Sequence, residues 1–383
     1  MIKCLKENSA IFFIFSFSQL CSIRYFLNSS FFNQNINFFY LYVILSCVLF
    51  YILVSKKIIN FFLNDKFFYL VLLIFLSFLF YVYPIQENLK FNMQGSDQDN
   101  CYIDILSNIK NNEKNIYSTS YLGNPCSTGL LAFIFYFPLI IWKNYFIVIP
   151  VICLLLFKFS SQYLLRESRI SNLLSLILLS NLVFLELSVS GSDFILISIS
   201  YLVGNLLLMD GLKNKNNLKL IASFVFFLFF FGSRSILLIL TIPLALVFYY
   251  KFTNKKVLIF FLSLFACVFL SFAIPYYLIL PNVFPPFHLF SKAIWYLDNV
   301  KYILLPILLV SIFLKNIIIE VINKNFLLSI LSIFIIPLFL SGISGFLYNI
   351  NDLSKWEELN YLYICTPTLF TFLYAIFKKN LIK

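Results

Sequence analysis

The chain contains a single histidine, His288, and its eight cysteines are scattered without any CxxC pair. Zinc and haem sites draw on cysteine and histidine ligands, so the sequence argues against both. Charged residues are also scarce, at 11% of the chain. A water-soluble domain of 383 residues needs far more polar surface than this, so the sequence predicts an integral membrane protein with many spans.

Long polar stretches are absent as well, with one exception. Residues 85–126 are the longest non-hydrophobic segment of a chain that is 61% hydrophobic, and Asp97 and Asp99 lie within it. Because nothing else is polar enough to fold in water, we expect residues 1–383 to form one transmembrane domain, with 85–126 as a long loop. A polar loop of this length in a membrane protein usually carries function.

The apolar runs predict an all-α fold, namely a polytopic bundle of transmembrane helices. Lys3 and Lys6 precede the run at 9–26, and no convincing small-x-small cleavage site follows it, so we expect a retained helix rather than a signal peptide. The candidate helices are 9–26, 38–55, 67–84, 127–142, 145–158, 171–190, 192–209, 218–231, 235–250, 257–279, 300–314, 326–347 and 360–377. The two runs in 218–250 are separated only by residues 232–235, which predicts a helical hairpin with Arg234 at its tip.

The net charge of +12 comes from lysines and arginines that fall in small groups between the apolar runs. That spacing is typical of cytoplasmic loops under the positive-inside rule, and it does not indicate a nucleic-acid partner. With these groups inside, both termini are cytoplasmic and the 85–126 loop is external. The same rule places residues 190–193, Arg234, 280–299 and 345–359 outside.

Two cytoplasmic termini require an even number of crossings, whereas the candidate helices number thirteen. The odd candidate lies in 127–158, where two short runs flank Lys143. Either one of the two runs does not cross, or residues 159–170 are an exception to the charge rule. We expect about twelve crossings.

This orientation gathers the unusual polar residues on one face. Asp97, Asp99, Asp193 and Arg234 are external, and Glu186 lies about two turns deeper. A charge inside a span is costly unless it has a partner or faces a polar cavity, so Glu186 is either a hydrogen-bonded structural carboxyl or a functional one. Arg234 is either an anion ligand or the ion-pair partner of Asp193. The aspartate pair alone would indicate only a solvated acidic loop.

Two cysteines differ from the others because they lie in the polar loop. Cys101 and Cys126 can form a disulfide if the loop faces an oxidising compartment, but the sequence does not supply the distance that such a bond requires. Cysteines within apolar runs are predicted to be small packing residues, and these are Cys47, Cys153, Cys267 and Cys365.

Four motifs occur in order over about residues 67–250: GSDQDNCYIDILSNI, YLGNPCSTGLLAFIFYFP, SVSGSDF and GSRSILLILTIP. This arrangement resembles the GT-C class of polytopic glycosyltransferases, in its uncharacterised bacterial branch. In that class the first large external loop carries an essential Asp or Asp/Glu pair, and the donor is a sugar on a polyprenyl phosphate. Arg234, followed by Pro243, matches the basic residue that precedes an apolar run with a proline. The two helices before residue 67 are an addition to the arrangement of the class.

The resemblance implies a transferase of the bacterial plasma (inner) membrane that moves a sugar from a polyprenyl-phosphate donor to a glycan or lipid acceptor of the cell envelope. Asp97 or Asp99 would be the general base, or both would hold a divalent cation such as Mg²⁺ or Mn²⁺. Arg234 would hold the leaving phosphate. The further candidates for substrate binding are Asp193, Tyr102, Asn124, Glu186 and His288.

Three other classes of protein remain as alternatives. A membrane polysaccharide polymerase or ligase uses the same lipid substrates, but it usually has a large, arginine-rich late external loop, and the loops at 280–299 and 345–359 are short and lack arginine. A transporter of lipid-linked saccharides would show matching Gly or Pro breaks in two halves, and the prolines here have no obvious two-fold pattern. A membrane scaffold gives no reason for Asp97, Asp193 and Arg234 to share a face.

Overall fold

A computed structural model of the chain describes residues 2–28, 36–55, 63–89, 99–113, 117, 126, 128–142, 144–279, 315–348, 350 and 359–382. Within these ranges the secondary structure is helical and contains no strand, so the all-α prediction is confirmed for them. The predicted helix 300–314 lies outside the described residues, as do Asp97, Asn124 and His288.

The α-helices are numbered in chain order. They are α1 (Ile2–Cys21), α2 (Ile23–Asn28), α3 (Ile36–Ser55), α4 (Asp65–Leu89), α5 (Asn100–Lys110), α6 (Phe133–Tyr136), α7 (Tyr145–Leu165), α8 (Ser168–Leu179), α9 (Leu182–Val189), α10 (Phe194–Lys213), α11 (Asn217–Ser233), α12 (Thr241–Phe252), α13 (Lys255–Ile279), α14 (Lys315–Lys324), α15 (Phe326–Tyr348) and α16 (Leu359–Ile382). Short 3-10 helices occupy Leu130–Ala132, Phe137–Ile140 and Ser235–Leu240.

By length and composition, 6 helical segments in the described part of the chain can cross a membrane, and the number rises to 7 if a bent pair counts as one span. The chain is therefore an integral, multi-pass membrane protein. The six are Ser9–Leu27, Asn37–Val54, Asp65–Asn88, Tyr145–Leu165, Phe194–Lys213 and Lys255–Ile274. The shorter apolar helices have 10–17 residues, whereas a hydrocarbon core of about 30 Å takes about 20 helical residues. A total of about twelve crossings therefore stays a prediction.

The helices group into two compact units. The first unit consists of Met1–Asn88, Ile147–Leu202 and Ile335–Lys383, and the second consists of Leu89–Phe146 and Val203–Phe334. Within the first unit, α1 packs against α3 and α16, and α8 packs against α9 and α16. Within the second unit, α11 packs against α13 and against the 130–132 turn, while α12 packs against α13 and α14.

The prediction of one helix over 171–190 is wrong, because the chain bends by 70° between α8 and α9. Asn181 lies at the break and caps α9: its Oδ1 accepts the Val183 N–H at 2.8 Å. Its Nδ2 donates to the carbonyl of Ser18 in α1, at 2.9 Å. Ser22, which separates α1 from α2, donates its hydroxyl to Asn181 Oδ1 at 3.4 Å. Two helix breaks in the first unit therefore satisfy each other's polar groups.

Two helices predicted in the second unit begin or end differently in the structure. The segment predicted as one helix over 127–142 has 3-10 geometry on both sides of the single α-helical turn α6, and it is too short to span a bilayer. Pro138 lies at the start of the second 3-10 turn, where it supplies no N–H to continue α6. The segment predicted at 235–250 starts as a 3-10 helix and becomes α-helical only at Thr241.

Candidate functional site

The polar segment predicted as a loop over 85–126 contains a helix that was not predicted from the sequence. Helix α5 runs over Asn100–Lys110 and buries Tyr102, Ile105 and Leu106 on one face. Asp99 precedes it directly, is fully buried, and its carbonyl accepts the N–H groups of Tyr102 and Ile103 at 3.0 and 3.1 Å. Its carboxylate does not bond to the first turn of α5, so capping does not explain why it is buried.

A disulfide ties α5 to the end of the polar segment. Cys101 and Cys126 are bonded, with their Cα atoms 5.3 Å apart. Cys101 lies in the first turn of α5, two residues after Asp99, and Cys126 leads into the Thr128–Gly129 turn. The covalent bond therefore holds the chain around Asp99 beside the chain around Thr128.

The next contact joins this turn to the end of α11. The Gly129 N–H donates to the Ser233 carbonyl at 3.0 Å. The two backbones approach so closely that a Cβ on Gly129 would lie 1.9 Å from the carbonyl oxygen of Gly232. A Cβ on Gly232 would lie 2.8 Å from Cβ of Leu131. Glycine is required at both positions, because a Cβ on Gly129 would collide with the opposite backbone and a Cβ on Gly232 would collide with the base of the Leu131 side chain.

Arg234 directly follows α11 as its C-cap residue. Its backbone is extended (φ −141°, ψ 131°), and the residue is 8% exposed. Its Nη1 donates to the Ser233 carbonyl at 2.9 Å, which is the same oxygen that accepts the Gly129 N–H. One carbonyl thus fixes both the guanidinium and the turn that follows Cys126.

Aromatic rings provide a second link between α5 and α11. The Tyr102 ring stacks on Tyr136 with centroids 4.1 Å apart and meets Phe133 edge-on at 5.0 Å. Phe229, near the C-terminus of α11, contacts Tyr136 and Phe135, with ring centroids 6.3 and 4.7 Å apart. Tyr102, which was predicted to bind substrate, is buried at this link, and aromatic pairs of this geometry each stabilise a contact by about 1 kcal/mol.

Tyr117 and Thr128 complete the described part of the site. The Tyr117 hydroxyl donates to the Thr128 carbonyl at 3.0 Å, and both residues are 2% exposed. Burial raises the pKa of the Tyr117 phenol, so it remains a neutral donor at physiological pH. The second unit thus holds Asp99, Thr128 and Arg234 on segments joined by a disulfide and one backbone hydrogen bond.

A carboxylate and a guanidinium suit proton transfer and the binding of an oxyanion, respectively. Within the described residues, no group of three or more His, Cys, Asp or Glu is placed to hold a metal ion. Asp97, which was predicted to share such an ion with Asp99, lies outside those residues.

Glu186 and Asp193 belong to the first unit. Asp193 is 1% exposed and precedes α10, where its carbonyl accepts the Ile197 N–H at 2.9 Å. The turn before it has Gly191 at φ 66°, and the Ser192 N–H reaches back to the Leu187 carbonyl at 2.9 Å, which closes the C-terminus of α9. Glu186 in α9 is half-buried, and its Oε2 atom is fully buried.

An ionic cluster in the first unit was not among the sequence-based candidates. Lys158, inside α7, is 2% exposed and pairs with Asp65 at 3.0 Å. Its Nζ also lies over the rings of Phe68 and Tyr69, at 4.6 and 4.2 Å from their centroids. The Asn172 amide donates to the same Asp65 oxygen at 2.8 Å. The sequence did contain a signal for this cluster. Lys158 is a lone lysine at the end of a long apolar run, and a charged residue in that position needs a partner.

The first unit also contains an apolar groove. Its volume is about 380 Å³, and α16 lines it with side chains spaced four residues apart. The lining residues are Phe13, Phe17, Ile335, Cys365, Leu369, Leu373 and Phe377.

No family model, curated protein or solved structure matches this chain.

Proposed function

We propose that this protein is a membrane glycosyltransferase that moves a sugar from a polyprenyl-phosphate donor to a glycan or lipid acceptor of the cell envelope. The Ser233 carbonyl is the observation that carries the proposal. It accepts hydrogen bonds from both Gly129 and Arg234, so it brings the end of the acidic polar segment to the one arginine in the second unit's described residues. Sugar transfer from a lipid phosphate needs a base and a cation, and the carboxylate of the polar segment and Arg234 are the groups we assign to these roles.

In this proposal Asp99, or Asp97, is the general base. The acceptor hydroxyl gives its proton to the carboxylate, and the acceptor oxygen attacks the anomeric carbon of the donor. The bond between that carbon and the phosphate oxygen breaks, and polyprenyl phosphate leaves. A base of this kind contributes roughly 10²–10⁴-fold to the rate. Binding of a divalent cation by Asp97 and Asp99 is the alternative role for the pair.

Arg234 binds the leaving phosphate. Its planar fork matches two phosphate oxygens, and its charge offsets the charge that develops as the bond to the sugar breaks. The residue is fixed by its own bond to Ser233 and by its position at the end of α11. A guanidinium that is already in place needs little reorganisation during the reaction.

The membrane arrangement of the proposal follows the charge rule. About twelve crossings form a bundle of GT-C type, both termini are cytoplasmic, and the membrane is the bacterial inner membrane. The polar segment then faces outward, where an oxidising compartment preserves the Cys101–Cys126 bond.

The test is transfer of radiolabelled sugar from polyprenyl-phosphate donors to cell-envelope acceptor by the purified protein. Asp99→Asn and Arg234→Ala should each lower the rate by roughly 100-fold, because each removes one charged partner of the transition state. Asp104→Asn, on the outer part of the same helix α5, is the control for the carboxylate and should retain the wild-type rate. Arg169→Ala, at an exposed position of α8, is the control for the arginine.

Failure of the wild-type protein to transfer any sugar to any acceptor would contradict the proposal. So would full activity in both Asp99→Asn and Arg234→Ala. An equal loss of activity in a site variant and its control would show that folding, and not chemistry, is what the variants change.

A further inference from the structure

We infer that the Thr128 hydroxyl is a ligand-binding group that donates a hydrogen bond to the phosphate of the lipid donor, an inference that rests on the function proposed above. Thr128 had no place among the sequence-based candidates. It lies in the turn that joins the disulfide to the Ser233 carbonyl.

The first observation is that the Thr128 hydroxyl is buried and has no partner within the described ranges. Thr128 is 2% exposed, and its Oγ1 is fully buried and has no hydrogen-bond partner among the residues the structure describes. Two other buried hydroxyls of the second unit have partners: Thr241 donates to the Leu238 carbonyl at 2.6 Å, and Ser223 donates to the Gly204 carbonyl at 2.8 Å. An unsatisfied buried hydroxyl destabilises a protein, which is the expected cost of a group kept ready for a ligand.

The second observation is that the rest of Thr128 is held tightly. Its carbonyl accepts the Tyr117 hydroxyl at 3.0 Å, and the next peptide N–H donates to the Ser233 carbonyl at 3.0 Å. Cys126, two residues earlier, is fixed by its disulfide. Backbone contacts therefore orient the side chain while leaving its hydroxyl unused, as binding groups are when their neighbours position them.

The third observation identifies the chemistry of the ligand. Arg234 Nη1 and the peptide N–H that follows Thr128 share one acceptor, the Ser233 carbonyl, so the guanidinium and the backbone directly after Thr128 meet at one oxygen. A hydroxyl and a guanidinium both donate hydrogen bonds, and phosphate oxygens accept them.

A second buried polar atom without a partner in the described part of the chain lies beside the disulfide. Asn100 Oδ1, on the other side of the disulfide beside Cys101, is buried and lacks a partner within the described part of the chain. A carbonyl oxygen accepts a hydrogen bond and so needs a donor, which a sugar hydroxyl provides. A sugar phosphate offers both kinds of group at once.

The experiment compares thermal unfolding of four purified proteins with and without a short-chain polyprenyl phosphate. Thr128→Val removes the hydroxyl at nearly constant shape, and Thr128→Ser keeps it. Thr241→Val is the matched control, because Thr241 is equally buried but its hydroxyl has a partner. Without ligand, Thr241→Val should lower the unfolding midpoint by roughly 2–4 °C, whereas Thr128→Val should leave it unchanged or raise it.

With ligand, polyprenyl phosphate should raise the midpoint of the wild type, Thr128→Ser and Thr241→Val. In Thr128→Val the apparent Kd for this lipid should rise by roughly 10- to 100-fold, since a hydrogen bond to a charged group is lost. A midpoint drop in Thr128→Val equal to that of Thr241→Val would overturn the inference. An undiminished ligand shift in Thr128→Val, or no shift in the wild type, would overturn it as well.

The two proposals can fail separately. If polyprenyl phosphate binds through Thr128 but the wild type transfers no sugar, the transferase function is wrong and the phosphate-binding role stands. If the wild type transfers sugar and Thr128→Val matches its KM and kcat, the role of Thr128 is wrong and the transferase function stands.

Discussion

Gly129 and Gly232 touch backbone to backbone in the second unit. A Cβ on Gly129 would meet the Gly232 carbonyl oxygen at 1.9 Å, and the Gly129 N–H donates to the neighbouring Ser233 carbonyl. Two of the chain's nine glycines therefore specify the joint between the polar segment and the end of α11. Thr128 and Arg234 lie directly beside this joint and depend on it for their positions.

Gly129→Ala should destabilise the protein by about 3 kcal/mol, because the added methyl group cannot be placed without moving one of two backbones. Gly211→Ala is the control. Its Cβ would meet Cδ2 of Leu220 at 2.8 Å, which is the end of a flexible side chain, and alanine favours a helix over glycine by about 1 kcal/mol. The unfolding midpoint in detergent measures both changes, and equal midpoints for the two variants would contradict the prediction.

Breaking the Cys101–Cys126 bond should destabilise the second unit by about 3 kcal/mol, as expected for a closed loop of this size. The measurement is the unfolding midpoint of Cys101→Ser and of the wild type under reducing agent. Cys267→Ser, which changes a free and exposed cysteine, is the control and should leave the midpoint unchanged. Alkylation followed by mass analysis provides a direct check: modification of both Cys101 and Cys126 without prior reduction would show that the bond does not exist.

The Lys158–Asp65 pair should respond unequally to the loss of either member. Asp65→Asn leaves a lysine that is 2% exposed without its anion and should cost about 3 kcal/mol. Lys158→Met leaves an aspartate that is 51% exposed and can be hydrated, so it should cost about 1 kcal/mol or less. Equal losses would contradict this asymmetry, and unfolding midpoints of the two variants decide the question.

A helix end was predicted correctly where small or polar residues interrupt an apolar run. The end of α11 follows Gly232 and Ser233, which interrupt an otherwise apolar run, and the helix ends there. The 70° bend before Asn181 was not predicted, because one Ser-Asn pair in an apolar run is compatible with a continuous helix. What stabilises the bend is Ser18 and Ser22, which lie far away in the sequence and become neighbours only in the fold.

The candidate site was predictable to a similar degree. Asp99 and Arg234 could be selected because charge is rare in such a chain. Helix α5, which directly follows Asp99, could have been found from the helical spacing of Tyr102, Ile105 and Leu106. Thr128 carries no signal in the sequence, because its significance lies in a hydroxyl that tertiary packing buries without a partner among the described residues. A pattern of residue types does not contain that information.

The packing of α1 against α16 has a consequence for biosynthesis. These two helices are neighbours in the first unit, although almost the whole sequence separates them. During synthesis α1 emerges early and must remain in the bilayer, with lipid or transient partners against its side, until α16 has been inserted. Assembly of the first unit therefore finishes late, and a ribosome that stalls before α16 leaves behind a membrane-inserted but unfinished bundle for the cell's quality control to remove.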